Sequence, residues 1–337
     1  MILAGDIGGT KAHLAMFEPG GSPRAPALQR KLSSRDHASL EALVLEFLDQ
    51  SPARPSRAVI GIAGPVVNNR SEATNLPWVM DGRSLSEALD GAEVTLINDL
   101  EATAWGLSQL ASGDLKTLQR GTPEPGNRAL IAAGTGLGEA LMVWNGRGWR
   151  PTASEGGHSD FASRDALEDE LNQWLRAKYG RVSNERVLSG PGIADLYRFM
   201  TATGRGAEPP GFAERFAQAP DPAPVVTEAA LDGSCARARL ALERFTEIYG
   251  AEAGNLALKS LAVGGLYVGG GIAPRILPFL CDGSFVRGFT AKGRLTPMLE
   301  RVPAHVILDP ATALWGAASV ALEGATLRAH DRAARIE

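Results

Sequence analysis

A few side chains combine types and spacings suited to chemistry on hydroxyl groups. Asp99 closes the apolar run 94–97, directly behind Asn98. A carboxylate at the carboxyl end of a strand can accept the proton of a substrate hydroxyl while the neighbouring amide holds an adjacent one. Asn and Asp are also strong helix N-caps, so position alone leaves Asn98-Asp99 open between a base and a cap. Further on, Ser154-Glu155-Gly156-Gly157-His158-Ser159-Asp160 carries a carboxylate and an imidazole in Glu-x-x-His spacing. On a helix that spacing would suit a carboxylate-bridged metal, but the two central glycines argue for a tight loop instead. On such a loop Glu155 and His158 can accept from and donate to vicinal hydroxyls, as a sugar requires. A turn with solvated polar groups is the plainer alternative. Glu185, in Val182-Ser183-Asn184-Glu185-Arg186-Val187, could add another acceptor, although alone it reads as an ordinary surface glutamate.

Three glycine turns point to a second ligand. Asp6-Ile7-Gly8-Gly9-Thr10, Gly134-Thr135-Gly136-Leu137-Gly138 and Gly269-Gly270-Gly271 each end an apolar, strand-like run. Glycine lets backbone N–H groups approach an anion closely, so such turns suit phosphate oxygens and predict a nucleotide enzyme. No G-x-x-x-x-G-K-[ST] loop is present, which disfavours a Walker-type NTPase. Gly8-Gly9-Thr10 leads into Ala12-His13-Leu14-Ala15-Met16-Phe17, a second strand, whereas a dinucleotide fingerprint would open a helix. The same strand, glycine turn and strand recurs at 129–144, so we expect a duplicated domain holding a nucleotide between two hairpins.

The elements that must position these groups alternate between strand and helix. The sequence predicts a hairpin over 2–17 and a helix over 39–48 with Leu40, Leu43, Val44, Phe47 and Leu48 on one face. It further predicts a buried strand over 57–63, a short strand at 94–97 and a helix over 100–110. The Gly/Pro-rich stretch 121–126 marks a boundary, and we place the domain change near residue 111. That gives a small α/β lobe, 1–110, joined by a terminal helix at about 311–323, and a larger α/β lobe, 111–310. In the larger lobe, helices are expected over 164–178 and 192–200, with one long helix or two stacked ones over 234–261. Gly250 and Gly254, one turn apart, are expected to let another backbone approach closely. Five prolines between 203 and 224 predict a loop or lid edge. Pro274 is suited to the first turn of the helix that follows strand 266–268.

Composition narrows the function classes. With 337 residues, 44% of them hydrophobic, the chain can bury a full core and is long enough for about two domains. A formal net charge of −4, with no concentrated Lys/Arg run, gives no footprint for nucleic acid. No apolar stretch reaches the ~18 residues of a membrane helix, and the start Met1-Ile2-Leu3-Ala4-Gly5 has no basic leader region. A cytoplasmic protein without a membrane partner is expected. Cys235 and Cys281 cannot form a cysteine cluster for zinc and are read as two small buried hydrophobes.

Taken in order, Asp6-x-Gly8-Gly9-Thr10, Ile97-Asn98-Asp99, Gly134-Thr135-Gly136-Leu137-Gly138, Glu155-Gly156-Gly157-His158, Glu185-Arg186-Val187-Leu188-Ser189-Gly190-Pro191-Gly192 and Gly269-Gly270-Gly271-Ile272 resemble the bacterial-type ATP-dependent glucokinases, members of the actin-like sugar kinase superfamily. The resemblance spans residues 5–316. It implies a two-lobe actin-like, ribonuclease H-like ATPase fold with duplicated mixed sheets, glucose in the interlobe cleft, and a homodimer. By position it implies Asp99 as the general base for the glucose 6-hydroxyl, with Asn98, Glu155, His158 and Glu185 on the sugar hydroxyls. Thr74-Asn75 and the glycines Gly136 and Gly138 are expected beside the sugar. Asp6, Gly8, Gly9, Thr10, Lys11, Gly134, Thr135 and Gly270, together with Gly136, are expected along ATP. No dedicated metal site is implied; Mg²⁺ would be held by phosphate oxygens and water, with Asp6 reaching it through water.

Lys11 departs from the Asn common in these glucokinases and resembles the related family of repressors, open-reading-frame proteins and kinases. That family's cysteine-rich zinc motif is lacking here. A kinase for mannose, fructose or an N-acetylated aminosugar is the alternative enzyme, and a sugar-sensing repressor or an actin-like filament protein the non-enzyme alternatives. A repressor would need a helix-turn-helix before the strand that begins at Ile2. His13 is read as structural or phosphate-adjacent, and His37, His305 and His330 show no ligand spacing.

Overall fold

Leu3 and Ile7 alternate with Ile2 and Ala4 along the first strand, so both of its faces must be covered. The computed structural model describes residues 1–51, 53–72 and 76–323. It divides into one unit of Met1–Asp114 with Asp309–Glu337 and another of Leu115–Leu308.

In the first unit the strands are β1 (Ile2–Ile7), β2 (Lys11–Phe17), β3 (Leu28–Ser33), β4 (Arg57–Ile62), the short ribbon β5 (Arg70–Glu72) and β6 (Val79–Asp81), and β7 (Glu93–Asn98). The main sheet runs β3-β2-β1-β4-β7. Its β1–β2 and β2–β3 pairs are antiparallel, whereas β1, β4 and β7 run parallel. Helix Leu40–Leu48, capped by Ser39 Oγ accepting from the Ala42 N–H, buries its predicted stripe with Leu3, Leu14 and Ile60. On the other face, helix Thr312–Glu323 buries Leu314, Ala317, Ala318 and Ala321 with Ile2, Phe17 and Val59.

The second unit carries β8 (Leu115–Gln119), β9 (Arg128–Ala133), β10 (Leu137–Trp144), β11 (Trp149–Ser154), β12 (Leu266–Gly269) and β13 (Ala304–Ile307), in the order β11-β10-β9-β12-β13-β8. From β11 to β13 this repeats the order and the strand directions of the first sheet, with β8 added antiparallel at the edge. The duplication expected from the two glycine hairpins is therefore present as topology.

Segment 234–261 holds one helix, Ala236–Ser260. A Cβ on Gly250 or Gly254 would stand 2.0 Å from the carbonyl oxygen of Phe285 or 2.4 Å from that of Phe289, so the glycine pair does admit a second backbone. Three expectations need correction. The proline-rich stretch contains helix Phe212–Gln218 and leads into helix Pro222–Leu231, whose Ala223, Val226, Ala229 and Ala230 are buried. Asp221 caps that helix and Pro222 takes its first turn, where the missing N–H costs nothing, so these prolines begin a core helix. After β12 the chain runs through turns, and it is Pro278 rather than Pro274 that occupies the first turn of helix Leu277–Cys281. Cys235 is buried, but Cys281, at the end of that helix, is exposed.

Candidate active site

In the first unit the site residues stand at the carboxyl ends of parallel strands. Asp6 lies near the end of β1, paired with His13 on β2 and Gly61 on β4. Burial, and then the charge of Asp99, push the Asp6 carboxyl up to about 7. Gly8-Gly9-Thr10 closes the β1–β2 hairpin: the Gly8 N–H donates to the Lys11 carbonyl (3.0 Å), and Ser34 Oγ donates to the Gly8 carbonyl (2.7 Å). Asp99 opens helix Asp99–Gly106, and Asn98 is its N-cap, accepting through Oδ1 from the N–H groups of Leu100 (2.9 Å) and Glu101 (3.3 Å). The Asn98 amide donates to the Gly64 carbonyl at 3.0 Å. Asn98 thus holds the turn, and Asp99 sits in the first turn of the helix with its Oδ1 accepting from the Leu100 N–H at 2.9 Å. Thr74 and Asn75 lie outside the described residues.

In the second unit one glycine turn organises most of the rest. Between β9 and β10 the Leu137 N–H donates to Glu185 Oε2 at 3.0 Å, and a Cβ on Gly136 would lie 2.4 Å from that oxygen. Only glycine lets Glu185 lie flat on the turn. His158 Nδ1 is 3.8 Å from Glu185 Oε1, and His158 Nε2 is 3.7 Å from Glu155 Oε2. Two carboxylates thus flank one imidazole at distances beyond a hydrogen bond, which leaves Glu185 Oε1, the Glu155 carboxylate and the ring nitrogens available to a ligand. The loop predicted here is a 3₁₀ turn, Gly156–His158. Its Gly157 sits so close to β10 that a Cβ would meet the Leu137 carbonyl at 2.0 Å. Asn184 ties this turn to the Glu185 helix, donating from its N–H to the Ser159 carbonyl (2.9 Å) and from Nδ2 to Ser159 Oγ (3.1 Å).

The other side of the same turn borders a cavity of about 800 Å³. Gly134, Thr135, Gly190, Pro191, Gly271 and Ile272 line its mouth and wall; Ile193, Ile276, Pro224 and Leu231 supply apolar surface, and Asp221, Thr227, Glu228 and Arg275 polar groups. A mostly apolar cleft of that size with a few polar groups suits a planar base and ribose. Gly270, at φ +81°, presses against the end of β9, where a Cβ would meet the Ala133 carbonyl at 2.3 Å. Gly270→Ala is expected to cost ~2 kcal/mol or more, since strained backbone and overpacking combine; thermal denaturation reads it.

Sequence reasoning missed Tyr249 on helix Ala236–Ser260. The buried Tyr249 hydroxyl accepts from the Ala133 N–H (3.1 Å) and donates toward the carbonyls of Ile131 (3.3 Å) or Gly269 (3.5 Å). It thereby ties the ends of β9 and β12, the two strands that deliver the glycine turns. Also missed was the contribution of helix Pro222–Leu231 to the cavity. His13 is buried on β2, 2.5 Å from Gln29 Nε2, and burial together with Lys31 pushes it down to about 4, in keeping with a structural role. Among the described residues no group of three or more His, Cys, Asp or Glu side chains is placed to hold a metal ion.

A hard cation fits beside Asp6 by the chemistry of the site. Burial, and to a lesser degree the Asp99 charge, raise the Asp6 carboxyl, and a divalent ion held there would favour its ionised form.

A family model described as Glucokinase matches residues 3–324. Among curated relatives, the glucokinase of Trichormus variabilis is 40% identical over 336 residues, covering 94% of this chain and 98% of that protein. That of Nostoc sp. is 41% identical over 334 residues with the same coverage. Among solved structures, the crystal structure of glucokinase from an Antarctic psychrotroph gives a TM-score of 0.82 at 31% identity, covering 96% of this chain and 98% of that one. A glucokinase of the ROK family from Streptomyces griseus, crystallised with glucose and AMPPNP, shares the fold at 22% identity and a TM-score of 0.63, with 96% and 99% covered.

Proposed function

The chain belongs to the glucokinase family, and from that premise we propose that it moves the γ-phosphoryl group of ATP to the 6-hydroxyl of glucose, with Asp99 taking the hydroxyl proton. The observation that carries this reading is the shared turn Gly134–Gly138. On one side it borders the cavity suited to a nucleotide, and on the other it anchors Glu185 within the Glu155–His158–Glu185 cluster. A turn that serves both a nucleotide and a polyhydroxy compound belongs to a phosphotransferase acting on sugars.

In this proposal Glu155 and Glu185 accept from sugar hydroxyls, and His158 donates to one or accepts from another, according to its tautomer. Asp99 accepts the proton of the attacking hydroxyl, and no covalent enzyme intermediate is needed, because phosphoryl transfer rests on alignment and charge stabilisation. Gly8, Gly9, Thr10 and Lys11 on the first hairpin, and Gly134, Thr135 and Gly270 in the second unit, serve the phosphates and nucleoside. Asp6 would hold Mg²⁺ through water, and the ion would supply neutralisation of the charge developing on the phosphates. A homodimer and a cytoplasmic location, where ATP is supplied, complete the proposal. Among the described residues no helix is long and apolar enough to cross a membrane.

The test is an ADP-release assay with Mg²⁺, run without sugar and then with glucose, mannose, fructose and N-acetylglucosamine. Turnover that depends on glucose and exceeds that with the other sugars supports the reading; turnover indifferent to sugar, or favouring another hexose, sinks it. Sedimentation of the same preparation reads the dimer. Glu155→Gln and His158→Ala are each expected to raise the KM for glucose by ~10-fold or more, the scale of a lost charge-assisted hydrogen bond, and to leave the KM for ATP unchanged. Unaltered glucose affinity in both variants would remove these residues from the sugar site.

A further inference from the structure

Glu139 lies one residue past the glycine turn, on β10, and is only 2% exposed. In register it faces Ser154 of β11, and its Oε2 stands 2.1 Å from where a Cβ on Gly156 would be, so the sugar-binding turn rests directly on this carboxyl. Glu252 of helix Ala236–Ser260, 4% exposed, is the second buried acid that acts on Glu139. Each carboxyl has one buried oxygen, Oε1 in both cases, without a hydrogen-bond partner among the described residues. Two orphaned acceptors side by side are costly, yet a single proton turns them into a donor and an acceptor.

The surroundings determine which carboxyl carries it. Glu252 Oε2 accepts from Asn255 Nδ2 (2.8 Å), and Lys259 Nζ lies 3.7 Å from Glu252 Oε1. Lys292 Nζ, which donates to the Ala251 carbonyl (2.8 Å) and to Asn255 Oδ1, adds positive charge near Glu252. The groups that face Glu139 are Glu252, the more distant Lys259 and the neutral phenol of Tyr249. Burial and the Glu252 charge push Glu139 up to about 7, so Glu139 is the protonated member.

Resting on the reading of the Glu155–His158 turn as the sugar site, we propose that Glu139 and Glu252 share one buried proton and that this acid pair is the positioning element that holds Gly156, and with it Glu155 and His158, against β10. Glu139 touches no substrate; it acts through the turn. Loss of the proton sets two buried carboxylates against each other and displaces the Glu139 carboxyl on which Gly156 rests.

The experiment compares the full-length wild type with Glu139→Gln, which keeps a neutral donor, and Glu139→Ala, which leaves Glu252 unpaired, in steady-state kinetics across pH. In the wild type the KM for glucose should rise as pH passes upward through about 7, and in Glu139→Gln it should stay low and flat. Glu139→Ala should raise it by ~10-fold or more, the scale of a displaced binding group, with the KM for ATP unchanged. Infrared difference spectra should show a protonated-carboxyl stretch in the wild type that is missing from Glu139→Gln. A wild-type pH profile retained in Glu139→Gln, or no such carboxyl band, overturns the proposal even if Glu139→Ala fails to fold. A folded Glu139→Ala with unaltered glucose KM overturns it as well. Wild-type protein without sugar-dependent turnover would instead remove the reading on which the proposal rests.

Discussion

Replacing Asp99 with Asn is expected to lower kcat by ~10³-fold, the middle of the range for loss of a positioned general base, while the dissociation constants for glucose and ATP change little. The substitution is nearly isosteric, and neither the Asn98 cap nor the Leu100 contact requires the charge. Asn98 supplies the cap through its own Oδ1, and Asp99 Oδ1 accepts from the Leu100 N–H at 2.9 Å, a role that an amide oxygen can keep. What an amide cannot do is take a proton from a hydroxyl. Removing the Asp99 charge also takes away the lesser of the two causes that raise Asp6, burial being the larger, which favours rather than impairs occupancy by a nucleotide with its cation. The two readouts are single-turnover phosphoryl transfer and calorimetric binding. Transfer at a near-normal rate would show that the proton leaves by another route, whereas a loss of binding equal to the loss of rate would make Asp99 a substrate-holding group.

Glycine turns and hairpins are legible because they depend on local rules. A strand that ends in glycines and resumes in alternation can hardly be anything but a hairpin, and the repetition of that pattern foreshadows the repeated sheet order. Ser39 and the stripe Leu40 to Leu48 are equally local. Misreadings arise where long-range partners decide. The Tyr249 hydroxyl meets a backbone N–H 116 residues away, and nothing in the helical period distinguishes it from Phe245. Glu139 sits in an otherwise apolar strand, where its chemistry becomes visible only once Glu252 and Gly156 are brought beside it. The prolines at 209–224 look like loop punctuation until Asp221 and Pro222 are seen to begin a helix whose far side is core. Asn98-Asp99 was undecidable by position, and the structure gives the cap to Asn98 while leaving Asp99 beside Asp6.

The largest stability effect is expected at Gly316. Helix Thr312–Glu323 crosses helix Asp99–Gly106 through two glycines: a Cβ on Gly316 would stand 1.8 Å from the Ala102 carbonyl and 2.6 Å from the Gly106 N–H, and one on Gly106 would stand 2.0 Å from the Thr312 carbonyl. In an exposed helix, Gly→Ala gains ~1 kcal/mol of propensity. Here the opposing atoms are backbone, which cannot swing aside as a flexible side chain would, so the helices must part. Separation opens the layer in which Ala317 and Ala318 of the helix pack with Ile2 and Val59 of the sheet. Overpacking of this kind costs ~3 kcal/mol or more, which outweighs the propensity gain. Gly316→Val should therefore lower the Tm by roughly 6–12 °C, taking 2–4 °C per kcal/mol for a unit of this size. Gly113→Ala, with nothing within 4 Å of its new methyl, should leave the Tm unchanged. Because the displaced helix begins at Asp99, Gly316→Val should also depress kcat below the melting range. A variant that loses stability but keeps full kcat would mean that the first turn of that helix is held by the Asn98 cap and the strand before it, independently of the glycine crossing.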